Sequence, residues 1–74
     1  MSNLHAMISS PPDRESIVFE IWSDERQVAE ISREPGRDYE IEIYPTGNGG
    51  AWNFNLTELM AYLTKGIEEL SRSK

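Results

Sequence analysis

The feature that most constrains this chain is a change of period. From Glu15 to Tyr44 apolar and polar residues alternate, and from Leu56 onward the apolar residues recur at helical spacing. Period two places alternate side chains on opposite faces of a strand, while 3.6-residue spacing gathers them into one stripe on a helix. In the first alternating run Ile17, Phe19 and Ile21 share one face, and Val18, Glu20 and Trp22 share the other. A polar turn at Ser23–Arg26 leads into a second strand over 27–33, with Ala29 and Ile31 inward and Val28 and Glu30 outward. Pro35-Gly36 supplies the next turn, since proline presets its own φ and glycine accepts a positive one. The third strand, 38–44, alternates most cleanly, with Tyr39, Ile41 and Ile43 in and Glu40, Glu42 and Tyr44 out.

The stretch Pro45 to Gly50 is too rich in glycine and proline for regular structure. Beyond it, Trp52 and Phe54 predict a short fourth strand over 51–54. Asn55 is placed to cap a helix, with Glu58 three residues on as in a capping box and Phe54 and Leu59 at the two staple positions. Leu56, Leu59, Met60, Leu63, Ile67 and Leu70 form the apolar stripe; Gly66 interrupts it at a cost of ~1 kcal/mol relative to alanine. Lys65, Arg72 and Lys74 lie toward the end where the helix dipole favours cations. A helix from Leu56 to about Arg72 is ~25 Å long, enough to cross a four-stranded sheet. Short connections imply an antiparallel meander. The expected fold is therefore α+β: a four-stranded antiparallel meander sheet with one C-terminal helix packed on one face. Residues 1–14, broken by Ser9-Ser10-Pro11-Pro12, are expected to form a flexible tail, and 15–74 a single domain. The expected core joins Ile17, Phe19, Ile21, Ile31, Tyr39, Ile41, Ile43, Phe54, Leu59, Leu63 and Ile67.

Composition narrows the function. The chain of 74 residues has thirteen acids against seven bases, a formal net charge of −6, and no cysteine. A nucleic-acid partner requires a basic footprint, which is missing. Without cysteine there is no disulfide framework, thiolate metal site or thiol nucleophile. No apolar run is long enough to span a bilayer, and the first residues lack a secretory pattern, so a cytoplasmic protein is expected. The glycines at 47, 49 and 50 do not make a phosphate loop, because Ala51 and Trp52 stand where lysine and a hydroxyl residue belong, and the expected flanks are strands. Glu40 and Glu42 share one open strand face, where nothing would raise a carboxyl pKa for acid–base catalysis. His5, the single histidine, is expected to be solvated. No enzymatic activity, cofactor or metal is expected.

The remaining constellation is the face away from the helix, with Glu20, Trp22, Val28, Glu30, Glu40, Glu42 and Tyr44. Two readings stand side by side. Exposed glutamates keep a sheet soluble and protect its edges. They also select a basic partner, for which Trp22 and Tyr44 supply anchoring area. On the second reading Glu20, Trp22, Glu30, Glu40, Glu42 and Tyr44 form the partner-binding surface of a monomer or weak homodimer. The segments IVFEIW, QVAEI, DYEIEIYP and AWNFNLTEL resemble small acidic immunity proteins of bacterial polymorphic-toxin and contact-dependent inhibition systems. That resemblance implies a cytosolic antidote to a toxin domain, often a basic nuclease, and carries no motif that assigns individual residues. The alternative is a small structural or homo-oligomeric domain.

Overall fold

The computed structural model describes residues 3–72. Four strands, β1 (Leu4–Ser9), β2 (Val18–Ser23), β3 (Arg26–Ser32) and β4 (Glu40–Ile43), precede one helix, α1 (Leu56–Arg72). The sheet order is β1-β2-β3-β4 and every pairing is antiparallel, so the architecture is the α+β meander with a C-terminal helix that the alternation predicts.

Two of its elements differ from the sequence expectation. The tail expected over 1–14 contains β1, which pairs with β2 from Leu4↔Ser23 to Ser9↔Val18. Met1 and Ser2 lie outside the described residues, as does Lys74. Leu4, Ala6 and Ile8 take the helix-side face, and Leu4 is buried against the core; the Pro11-Pro12 break ends the strand and does not exclude it. Conversely, the strand expected over 51–54 is irregular. Trp52 and Phe54 alternate because both rings pack against the core and against each other, with centroids 5.4 Å apart, and not because the backbone pairs.

The turns follow their chemistry. Gly36 has φ 76°, and the Arg37 N–H donates to the Glu34 carbonyl at 3.0 Å, closing the Pro-Gly turn. Asp24, at φ 55°, occupies the left-handed region that a short acidic side chain tolerates. The helix opens where its cap predicts: the Glu58 N–H donates to Asn55 Oδ1 at 2.9 Å.

The core centres on Phe19, Ile21, Ala29, Ile31 and Leu70. Helix α1 lies over β2 and β3, and Gly66 is what allows it to lie so close. A Cβ at that position would stand 2.8 Å from both Phe19 Cδ2 and Ile31 Cδ1, inside van der Waals contact. The helix therefore does not reach far enough sideways to cover β4. Ile41, Ile43 and Ile67, expected in the core, remain 46%, 65% and 44% exposed. Ile17, Tyr39, Phe54, Leu59 and Leu63 pack around the core while half-buried.

Candidate functional site

Register builds the outer face residue by residue. Met7, Glu20, Glu30 and Glu42 stand opposite one another across the four strands, so three carboxylates form a cross-strand row. Glu40 lies opposite Ser32, one pleat repeat along β4 from Glu42. Near the other end of the face His5 pairs with Trp22, their rings stacked with centroids 6.4 Å apart and planes 17° apart. His5 is thus exposed but held on a strand. Trp22 is half-buried and donates its Nε1–H to Glu20 Oε1 at 2.9 Å. A register shift between Ile21 and Trp22 leaves Val28 without a direct partner on β2 and buries it, so the outward, accessible Val28 of the sequence expectation is corrected.

Like charges placed side by side need compensation, and it comes from a residue the alternation does not reveal. Arg14, in the β1–β2 connection, reaches over the outer face. Its Nη2 stands 2.8 Å from Glu30 Oε2 and 3.8 Å from Glu42 Oε1, and its Nη1 donates to Ser32 Oγ at 3.4 Å. Val18, which faces away from the helix, is fully buried at this corner, opposite the Ser32 that Arg14 bonds. The outer face is therefore open over Glu40 and Glu42, half-open over Glu20 and covered over Glu30, whose side chain keeps only 12% of its exposure. The signal in the sequence is a lone cation between Pro11-Pro12 and a strand that carries acids on its outward side.

Tyr44 is half-buried beyond the end of β4, and its hydroxyl donates toward Glu42 Oε1 at 3.4 Å and Glu30 Oε1 at 3.5 Å. Its pKa lies above the ordinary 10.0, first because burial disfavours the phenolate and then because both glutamates repel it. The Trp52 Nε1–H donates to the Tyr44 carbonyl at 2.7 Å and fixes the strand end. Glu40 stands apart from the row, paired at 2.7 Å with Arg37 in an exposed (i, i+3) contact. The structure thus brings Glu20, Glu30, Glu42, Trp22 and Tyr44 into contact pairs along one face and leaves Glu40 at its rim.

The arrangement offers carboxylates that accept hydrogen bonds from cations, flanked by two amphipathic rings. Among the described residues, no group of three or more histidine, cysteine, aspartate or glutamate side chains is placed to hold a metal ion. No described helix is long and apolar enough to cross a membrane. No protein-family model matches the chain, and neither a curated protein nor a solved structure matches it.

Proposed function

We propose that this protein is a non-enzymatic binding domain whose acidic sheet face meets a basic protein partner. In its most concrete form it is a cytoplasmic immunity protein that covers the substrate cleft of a basic toxin, such as a nuclease, with carboxylates standing in for phosphates. The observation that carries the reading is the Glu20–Glu30–Glu42 row, on the face the helix does not cover and flanked by Trp22 and Tyr44. The net charge of −6 extends the same field and would steer a cationic partner toward it. Arg14 offsets part of the row and Arg37 offsets Glu40, so the most exposed carboxylate of the row is Glu42.

The test is a pull-down with the product of the neighbouring gene. Association should slow with salt, as the Debye length shrinks from ~10 Å at 0.1 M to ~3 Å at 1 M. A folded Glu40→Lys, Glu42→Lys double variant should lose binding, and full affinity in that variant would remove the outer face from the interface. The second reading, a homo-oligomeric structural domain, is favoured by the bare isoleucines of β4; it calls for a dimer that persists at micromolar concentration in sedimentation.

A further inference from the structure

β4 is an edge strand of the sheet, so one side of its backbone has no strand partner. In an antiparallel ladder, residues bonded to the neighbour alternate with residues turned away from it. The Tyr44 N–H donates to the Val28 carbonyl at 2.9 Å, which sets the parity of the β3–β4 pair. Glu42 and Glu40 then bond inward to β3, and Ile41 and Ile43 turn their N–H and C=O groups to the open side. Their side chains point to the helix side, where α1 fails to cover them. A groove of about 210 Å³ runs there between β4 and the helix, lined by Ile31, Tyr39, Glu40, Ile41, Leu63 and Ile67. The opposite flank of the same strand carries Glu40 and Glu42.

We propose that the β4 edge receives an added strand from the partner, one that alternates apolar residues toward Ile43 and the Ile41–Leu63–Ile67 groove with basic residues toward Glu40 and Glu42. This deepens the reading of a basic partner and rests on it. Two features of the molecule select this occupant. A second copy paired edge to edge, in the register that sets Ile41 opposite Ile43 both ways, places Glu42 opposite its own copy, and like charges directly opposed are destabilising. The other edge, β1, is less open to an added strand, because the Tyr62 hydroxyl already occupies the Leu4 carbonyl at 2.9 Å. Main-chain hydrogen bonds supply affinity in such strand addition, and the alternating side chains supply specificity.

The experiment titrates the whole protein with a synthetic peptide alternating lysine and valine and follows amide hydrogen exchange by NMR. The Ile41 and Ile43 amides should exchange roughly tenfold more slowly at saturation, since they gain acceptors. The same peptide N-methylated at alternate residues should give no protection, and an Ile43→Lys variant, altered at an exposed position, should bind at least about tenfold more weakly. A glutamate–valine peptide that protects equally would overturn the charge selection. Protection that grows with protein concentration alone would assign the edge to a second copy and overturn the proposal. If the lysine peptide perturbs Glu20, Trp22 and Glu42 while Ile41 and Ile43 stay unprotected, the edge fails and the acidic-face reading survives. Full partner affinity in the Glu40→Lys, Glu42→Lys variant removes that reading independently.

Discussion

β2 and β4 carry nearly the same pattern, Phe19-Glu20-Ile21 in one and Ile41-Glu42-Ile43 in the other, and end in opposite environments. Ile21 is 0% exposed and Ile43 is 65% exposed, although both point to the helix side and stand in the same cross-strand row through Ala29. Alternation decides which face a side chain takes. Whether that face is covered depends on where the strand lies in the sheet and where the single helix sits. The helix is held over β2 and β3, so a central strand is sealed and the edge strand is not.

The sharpest way to break this contrast is a matched pair of truncations. Ile21→Ala should cost ~2–5 kcal/mol, a large part of a small domain's stability, whereas Ile43→Ala should stay within about 0.5 kcal/mol. Equal shifts in denaturant midpoint would show that the two strands are covered alike. Next in size, Gly66→Ala tests what fixes the helix over β2 and β3. Alanine gains ~1 kcal/mol of helix propensity, but overpacking against the Phe19 ring costs about 1–3 kcal/mol, so a net loss of stability is expected on chemical denaturation. A more stable variant would mean that the helix can shift outward at no cost, and cover of β4 should then increase.

Asn55→Ala removes the cap that starts the helix and should cost ~1 kcal/mol, read from a thermal melt, with fraying confined to the first turn by NMR. A silent variant would place the helix start under the control of the Phe54 and Leu59 packing alone. The smallest effect concerns the end of β4. Because folding raises the Tyr44 pKa, the folded state holds its phenolic proton more tightly than the unfolded chain. The contribution is intact below the ordinary value of 10.0 and is lost as pH rises through the folded value. Stability should therefore fall above about pH 10 more steeply in the wild type than in Tyr44→Phe, measured by urea unfolding at a series of pH values. Identical slopes would show that Tyr44 is solvated and the strand end open.

Much of this architecture is legible in the residues. The Pro35-Gly36 turn, the Asn55 cap and the alternation of β2, β3 and β4 each express a local preference that the fold keeps. β1 is harder to read because its outward positions, His5, Met7 and Ser9, include an apolar one, and the serines and prolines behind it resemble a tail. Residues 51–54 mislead in the opposite way: Trp52 and Phe54 alternate to reach a common packing site, and side-chain spacing alone does not reveal whether a backbone has a partner. In the candidate site, Glu20, Glu30 and Glu42 fall in one row because the register is regular there. The Arg14 counter-ion is invisible to periodicity, since it belongs to an irregular connection whose path only the folded chain defines.

The bond from the Tyr62 hydroxyl to the Leu4 carbonyl spans 58 positions of sequence. Its consequence is temporal. The strand that precedes the other three is clasped by a residue of the helix that follows all four, so β1 can settle on β2 as a hairpin arm but is secured only when the helix has formed and docked. Closure of so long a loop belongs among the late, slow contacts of folding, and the first strand is then the element whose exposure best reports whether the last one has arrived.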